Sequence, residues 1–173
     1  MIPFCVCLIC VATGCLGPVV LPEGRAWPAK PAFSIMPSSN IVEYTRSGID
    51  FDAVYVIPLK TAGGFNYLRF WPTGRLLVRP TDHPPTLIDV EDFTSAFIGY
   101  YTVNGDLIKY EVFVPAGSPP WAYGYELIEN KLETNSILEL RSSFNGSMAD
   151  DMGKYNLRYV KQPMPGMKRQ PDW

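Results

Sequence analysis

Apolar and polar residues alternate along much of the segment between residues 49 and 161, so that every second residue is apolar. A period of two is typical of half-buried β-strands, because successive side chains point to opposite faces of a sheet. One short helix is expected over 86–94, where acidic residues follow Pro84-Pro85 and favour the start of a helix. The alternation predicts about eight short strands, over 49–59, 65–70, 76–79, 97–103, 106–114, 121–129, 136–142 and 156–161.

A tight turn is predicted at Trp71-Pro72-Thr73-Gly74, between the second and third strands. Pro72 presets φ at the second position of the turn, and Gly74 accepts the left-handed conformation at the fourth. Both are required by a type I turn that is followed by a bulge. The bend between the sixth and seventh strands falls either at Asn130-Lys131 or at Thr134-Asn135, and the pattern leaves both positions open.

The strongest hairpin signal is Asn104-Gly105, because both residues tolerate the positive φ of a two-residue type I′ turn. With both residues in the turn, Tyr101 faces Ile108 across the two strands. One face of the hairpin is then almost wholly apolar and buried, whereas Lys109 and Glu111 lie on the opposite face. The residues expected either to line a ligand pocket or to form the core are Phe97, Tyr101, Ile108, Tyr110 and Val112, with Tyr125 from the next strand.

Short strands joined mostly by tight turns predict a mainly β protein. The expected architecture is an antiparallel barrel of about eight strands with one short helix, and a β-sandwich is the alternative. Because the chain has 173 residues, a single domain with a substantial core is expected.

Two of the hairpins resemble those of small lipocalin-like bacterial envelope proteins. Tyr67-Leu-Arg-Phe-Trp-Pro-Thr-Gly-Arg-Leu-Leu-Val resembles their "aromatic-x-Phe-x-x-Asp-Gly-x-Val" hairpin, with Thr73 in place of the Asp. Gly99-Tyr-Tyr-Thr-Val-Asn-Gly-Asp-Leu-Ile resembles the "Gly-x-Tyr-x-Val-x-Gly-Asp-x-Ile" hairpin that follows it there. The resemblance implies a lipocalin-like β domain over 49–161, in which a barrel holds a small ligand.

All 4 cysteines lie within the first 15 residues, in an apolar run of signal-peptide length. The run is shorter than the roughly 20 residues that a membrane-spanning helix needs. Ala12-Thr13-Gly14-Cys15 resembles a bacterial lipobox. The resemblance implies that residues 1–14 are a signal peptide and that Cys15 carries the lipid. The absence of Asp after Cys15 implies an outer-membrane lipoprotein that faces the periplasm or the surface. Plain secretion and an uncleaved, membrane-touching segment remain the alternatives.

Prolines interrupt both ends of the chain. Residues 15–48 carry prolines every few positions, which favour an extended backbone and predict a tether. The alternative is an arm that packs along the β domain through Trp27, Phe33 and Ile35. Residues 162–173 are also broken by prolines and are expected to form a flexible tail.

Composition excludes several classes of function. The net charge is -2 without a long basic run, so no nucleic-acid partner is expected. The single histidine, His83, lies in a turn-forming loop, and no cysteine follows Cys15. Metal sites that need several His or Cys ligands are therefore excluded by count. Neither a catalytic motif nor a phosphate-binding loop is present, and no cofactor is expected.

Two non-enzymatic functions remain open for a lipid-anchored envelope protein. The first is binding of a small apolar ligand inside the barrel. The second is an interaction or structural role with another envelope protein, for which the barrel is filled and the loop at 118–121, with Trp121, is an exposed aromatic feature. An enzyme would require two carboxylates, or His83 and an acid, to converge in a pocket. Whether the barrel interior is hollow or packed distinguishes the first two functions.

The N-terminal pattern leads to a direct prediction. Wild-type chain expressed in bacteria should incorporate radiolabelled fatty acid and partition with membranes, whereas Cys15→Ala should lose the label. The β domain of the variant should still fold, because no cysteine lies within it. A variant that keeps its label, or a mature chain that begins elsewhere than Cys15, would contradict the lipoprotein interpretation.

Overall fold

The computed structural model of the chain describes residues 18–20, 24–37, 44, 46–59, 63–115, 123–144, 147–148 and 157–173. Its strands, numbered in chain order, are β1 (Val19–Val20), β2 (Ala26–Trp27), β3 (Ala53–Pro58), β4 (Phe65–Phe70), β5 (Arg75–Thr81), β6 (Phe97–Asn104), β7 (Leu107–Pro115), β8 (Tyr123–Glu133), β9 (Ser136–Phe144), β10 (Ser147–Met148) and β11 (Arg158–Pro163). A short helix, α1, spans Leu87–Glu91. Thr86 begins it with a capping box, in which its backbone N–H donates to Asp89 Oδ2 at 2.7 Å.

Eight strands form a closed antiparallel barrel. From β3 to β9 each strand pairs with the next one along the chain, β9 pairs with β11, and β11 returns to pair with β3. The short β10 extends the edge of β9, and β1 and β2 form a separate small sheet. The prediction of a mainly β barrel with a short helix is therefore confirmed, and the sandwich alternative is wrong. Closure removes the exposed edges that an open sheet would present to other chains.

The start of β3 differs from its predicted position for a local reason, and the bend after β8 lies at one of the two positions that the sequence left open. β3 begins at Ala53 rather than near 49, because the Asp50 carboxylate accepts a hydrogen bond from the Asp52 N–H at 3.0 Å and turns the chain before the strand. The bend after β8 lies at Thr134-Asn135, one of the two expected positions. Near the other position, the pairing of β8 with β9 shifts register between Glu129 and Asn130.

The turn at Trp71-Pro72-Thr73-Gly74 has the predicted form. The Gly74 N–H donates to the Trp71 carbonyl at 3.1 Å, and the Trp71 N–H donates to the Arg75 carbonyl at 3.0 Å. Gly74 has a φ of +75°, in the left-handed region that glycine adopts without strain.

The second hairpin differs from its predicted register. Asn104 pairs with Leu107, so the two turn residues are Gly105-Asp106, and Tyr101 pairs with Tyr110 rather than Ile108. Gly105 has a φ of 63°, whereas Asn104 is not among the described residues with positive φ. A glycine at the first central position is typical of a type II′ turn, not the expected type I′. Because the pairing moves by two residues and side chains alternate with a period of two, the predicted faces are nevertheless correct.

Inward-facing side chains form one continuous apolar cluster inside the barrel. At its centre, the rings of Tyr44 and Phe70 each lie 5.0 Å from the Tyr101 ring, edge to face. The Tyr101 hydroxyl donates to the Trp71 carbonyl at 2.7 Å, so the buried phenol is satisfied. The buried members of this interior cluster are Tyr44, Ile49, Tyr55, Ile57, Leu68, Phe70, Leu76, Val78, Tyr101, Val103, Ile108, Tyr110, Val112, Ile128, Ile137 and Tyr159.

One end of the barrel is closed by tight turns. The β4–β5, β6–β7 and β8–β9 connections all lie at this end, and the Tyr44 hydroxyl lies next to Gly74 in the first of them. A Cβ atom added at Gly74 would come within 2.7 Å of the Tyr44 hydroxyl, so the contact leaves no space for a larger residue. The connections at the other end are longer, and residues 60–62, 116–122, 145–146 and 149–156 within them lie outside the described residues.

The C-terminal residues lie on the outside of the barrel, where they and α1 cover β3–β6. Arg69, on the outer face of β4, donates from Nη1 to the Val90 carbonyl at 2.7 Å and from Nη2 to the Arg169 carbonyl at 2.8 Å. Its guanidinium also lies 4.5 Å from the centre of the Trp71 ring. The segment 164–173 lacks regular secondary structure, as its prolines favour, but it packs against the sheet instead of extending away from it.

Residues 24–37 run along the outer face of β6–β8. The backbone N–H groups of Ser34 and Ile35 donate to Glu111 Oε2 at 2.5 and 3.0 Å. Phe33 packs edge-on against two tyrosine rings of the sheet, at 5.0 and 4.9 Å. These residues therefore lie against the barrel in the manner of the alternative arm, and Glu111 is buried beneath them although it belongs to the polar face of its hairpin.

The alternation of faces on β7 leads to a stability prediction. Ile108 is fully buried inside the barrel, whereas its neighbour Leu107 is 41% exposed. Ile108→Ala should lower the free energy of unfolding by about 2–5 kcal/mol, because it removes buried methyl groups and leaves a cavity. Leu107→Ala is the matched control and should cost less than about 1 kcal/mol. Urea denaturation measures both values, and equal losses would mean that the faces are wrongly assigned.

Candidate functional site: polar residues inside the barrel

The same alternation that builds the apolar core also turns several polar side chains inward. On β8, Glu126 pairs with Val112 and Asn130 pairs with Ile108, and both of these β7 partners belong to the interior cluster. Directly opposed residues on adjacent strands share a face. The interior polar cluster, as we define it, consists of Asn66 on β4, Tyr110 on β7, Glu126 and Asn130 on β8, Glu139 and Ser142 on β9, and Tyr159 on β11.

A bulge on β9 brings two of these residues to the same face. Arg141 pairs with Glu129, and Glu139 pairs with Asn130, so Leu140 between them has no partner on β8. An extra residue in one strand reverses the alternation beyond it. Glu139 and Ser142 are three positions apart and would lie on opposite faces of a regular strand. Because of the bulge, both face the interior.

Much of the cluster is buried, with Asn66 and Glu126 half-buried, and several of its polar atoms have no partner among the described residues. Asn130 is 0%, Ser142 5% and Glu139 8% exposed. Within the part of the chain that the structure describes, no hydrogen-bond partner lies near Asn130 Oδ1, Asn130 Nδ2, Asn66 Oδ1 or Ser142 Oγ. A buried polar atom without a partner costs roughly 1–3 kcal/mol, and most native proteins contain few of them. Four such atoms on inward-facing side chains make the interior of the barrel the candidate site.

The two carboxyl groups of the cluster hold their protons more tightly than exposed ones. Burial raises the pKa of Glu139 from 4.5 to about 7, and repulsion from Glu126 adds to this effect. Burial also raises the pKa of Glu126. At neutral pH, Glu139 is therefore close to half protonated.

Two phenols complete the cluster. Burial raises the pKa values of Tyr110 and Tyr159 above their ordinary range, and the nearby carboxyls of Glu139 and Glu126 contribute in the same direction. Both phenols consequently stay neutral at every physiological pH. Hydrogen bonding to Asn66 and to Tyr110 opposes the rise in the pKa of Tyr159, so these side chains lie within reach of one another.

Five of the six residues predicted to line a pocket or form the core face the barrel interior, and Tyr125 does not. Tyr101, Ile108, Tyr110 and Val112 are buried inside the barrel, and Phe97 packs against them while partly exposed. Tyr125 instead lies on the outer face, where its hydroxyl accepts a hydrogen bond from the Ala32 N–H at 2.9 Å. The even-numbered residues of β8 face inward, so Tyr125 faces the N-terminal arm.

Other candidate residues lie away from the barrel interior or outside the described chain. His83 is exposed in a loop, 3.4 Å from Asp82 and 3.8 Å from Asp89. Cys15, Trp121 and the 118–120 loop lie outside the described residues. Among the described residues, no group of three or more His, Cys, Asp or Glu side chains is placed to hold a metal ion.

Sequence reasoning missed the four polar residues of β8 and β9. Glu126 and Asn130 follow the inward period of Ile128, so the alternation on β8 carried a usable signal. Glu139 and Ser142 carried none, because the bulge that aligns them depends on pairing with β8 and not on the residue pattern of β9 itself.

Comparisons with protein-family models, with curated proteins and with solved structures found no match for this chain. Its described helices include none that is long and apolar enough to cross a membrane. Fold and site together define a closed, eight-stranded antiparallel barrel, consistent with a lipocalin-like architecture, that encloses a polar cluster.

The raised pKa of Glu139 makes stability depend on pH. The unfolded chain loses this proton near 4.5 and the folded protein near 7, so the free energy of unfolding should fall as the pH rises between these values. Glu139→Gln should remove this loss and stabilise the protein at about pH 8, by on the order of 2 kcal/mol.

Glu129→Gln is the control, since Glu129 faces outward on β8. Hydrogen bonds from Arg141 and Lys109 lower its pKa to about 2, so its replacement should cost stability at neutral pH instead. Urea denaturation at about pH 5 and about pH 8 measures both effects. A Glu139→Gln variant with the wild-type pH dependence would contradict the burial of this carboxyl.

Proposed function

We propose that this protein binds a small molecule inside its barrel and performs no chemistry on it. The observation that carries the proposal is the interior polar cluster, in which Asn130 is fully buried with both amide atoms unpartnered among the described residues. Ligand sites combine a mostly apolar lining with a few convergent polar groups. The barrel supplies the apolar lining, and the cluster supplies the polar groups.

The polar atoms inside the barrel indicate that the ligand carries a polar group. An entirely apolar molecule would leave the amide of Asn130 and the hydroxyl of Ser142 without partners. A molecule with an apolar body and one polar group satisfies both parts of the interior. Closure of one end by tight turns, with longer connections at the other, supports entry from the end with the longer connections.

The carboxyl pair favours binding over catalysis. Glu126 and Glu139 both lie inside the barrel, which is the arrangement that an acid–base enzyme would need. However, the sequence contains no recognisable catalytic motif, and the single histidine, His83, lies exposed in a loop. The unpartnered amide of Asn130, which pairs with Glu139 across the two strands, would instead be satisfied by a bound molecule.

A filled barrel that serves as an envelope interaction protein is the second candidate. It is supported by the large side chains of the interior cluster, where Tyr44, Phe70 and Tyr101 pack ring against ring. In both cases, anchoring through a lipid at Cys15 places the protein in the cell envelope, with the outer membrane as the proposed location and secretion as the alternative.

Native mass spectrometry distinguishes the two candidates. Wild-type protein purified from its own envelope should carry a small molecule in a ratio of about one per chain. Asn130→Leu should lose this molecule while gaining stability, by about 1 kcal/mol, because an unpartnered buried amide is replaced by an apolar side chain of the same branched shape.

Lys131→Leu, at the outward-facing neighbour, is the control and should keep the bound molecule. Repeated absence of any bound molecule from the wild-type protein would contradict the binding function. A reproducible protein partner captured by cross-linking in the envelope would then support the second candidate.

A further inference from the structure

We infer that the interior polar cluster selects a small organic cation, a protonated primary or secondary amine with an apolar body, for which Glu126 and Glu139 are the counter-ions. The inference rests on the proposed binding function and names the chemical class of its ligand.

Charge is the first argument. Two carboxyl groups share the interior, and the described groups that act on Glu139 are Glu126, which repels it, and the surrounding protein, which desolvates it. Lys161 pairs instead with Asp50 at 3.5 Å. Buried carboxyls are ordinarily paired with a cation or hydrogen-bonded. A cationic ligand would supply the charge that the described side chains do not.

The unpartnered atoms supply the second argument. Three of the four unpartnered atoms, Asn130 Oδ1, Asn66 Oδ1 and Ser142 Oγ, can accept a hydrogen bond, and the carboxylate oxygens add more acceptors, whereas Asn130 Nδ2 only donates. An ammonium group presents two or three N–H donors and no acceptor. An anionic ligand would require donors and positive charge, whereas the cluster contributes mainly acceptors and acids.

The apolar surroundings distinguish an organic cation from a metal ion. Ile128 and Ile137 are buried on the same inner face as the carboxyls, with the rings of Tyr110 and Tyr159 beside them. Aromatic faces attract organic cations, and aliphatic side chains accommodate their carbon skeleton. A calcium ion prefers six to eight oxygen ligands and gains nothing from these apolar groups.

Binding of a cation should depend on pH in a defined direction. The groups that face Glu139 are Glu126 and Asn130 on β8, Tyr110 on β7 and Tyr159 on β11. The two phenols stay neutral, so the carboxyls alone titrate. Since the pKa of Glu139 is about 7 in the free protein, a cation must displace its proton below that pH. Affinity should therefore rise between about pH 5.5 and about pH 8, where alkylammonium groups stay protonated.

Isothermal titration calorimetry on the full mature chain tests the inference with probes of matched shape. Ethylammonium and 2-phenylethylammonium are the cations, 2-phenylethanol is the neutral analogue, 3-phenylpropanoate is the anion, and calcium chloride is the inorganic arm. At about pH 8, one ammonium probe or both should bind at least about 10-fold more tightly than the alcohol and the anion. The affinity of that ammonium probe should be about 10-fold lower at about pH 5.5 than at about pH 8.

Two variants and one control assign the effect to the cluster. Glu139→Gln should lower the affinity for the ammonium probe by about 10-fold or more, and Ser142→Ala should lower it by a smaller factor. Glu129→Gln changes an outward carboxylate on the neighbouring strand β8 and should bind like the wild type. Circular dichroism and cooperative thermal unfolding confirm that each variant is folded.

Several outcomes would overturn the inference. These are equal binding of the alcohol or the anion, tighter binding of calcium than of either ammonium probe, unchanged affinity in Glu139→Gln, or no binding of ammonium by the wild type. Binding of the alcohol or the anion alone would still leave the proposed binding function standing. The native mass spectrum of the wild-type protein decides that function separately.

Discussion

Closure of the sheet is the constraint on which the rest of the structure depends. β11 pairs with β9 on one side and with β3 on the other, where Val160 is opposite Val56. Once the sheet is closed, every strand has one face inside and one outside, and a side chain's position is decided by its parity along the strand, which only a bulge such as that of β9 reverses. The interior cluster, the polar cluster and the outer covering segments all follow from this division.

The interior polar cluster lowers the stability of the folded barrel. Its unpartnered amide and hydroxyl atoms lose hydration without gaining partners among the described residues, and burial disfavours the charged form of its carboxyls, so both oppose folding. The surrounding apolar cluster and the segments packed outside the barrel offset that cost. On the outside, Arg69 and Glu111 are buried charged residues with several hydrogen bonds each, so they hold the C-terminal tail and the N-terminal arm in place. Arg69 Nε has no partner among the described residues, whereas four such atoms lie on three inward-facing side chains, and this larger number is the reason to regard the interior as a binding site.

Much of the fold followed from local patterns. Alternation located the strands, and the Pro72 and Gly74 positions specified the first turn correctly. The register of the second hairpin was wrong because Asn-Gly and Gly-Asp overlap in the same three residues, and both can form a two-residue turn. Only the pairing along β6 and β7 selects Gly105-Asp106. The inward and outward faces of this hairpin were nevertheless predicted correctly, because the predicted pairing of β6 with β7 was shifted by two residues, an even number.

The candidate site was less accessible to sequence reasoning. Glu139 and Ser142 meet only because of the β9 bulge, which is a property of strand pairing. The arm and the tail have no periodic pattern, so their contacts depend on single anchors such as Phe33 and Arg169, whose neighbours are distant in sequence. Proline content indicates an extended backbone but does not say whether that backbone packs against the domain.

Titration of the side-chain carboxyl carbons of Glu126 and Glu139 by nuclear magnetic resonance tests the central claim most directly. The account predicts that both carboxyls titrate above their ordinary range in the free protein, with Glu139 near 7. Titration of both near 4.5, as for carboxyls in water, would contradict their enclosure in the barrel and the site built on it.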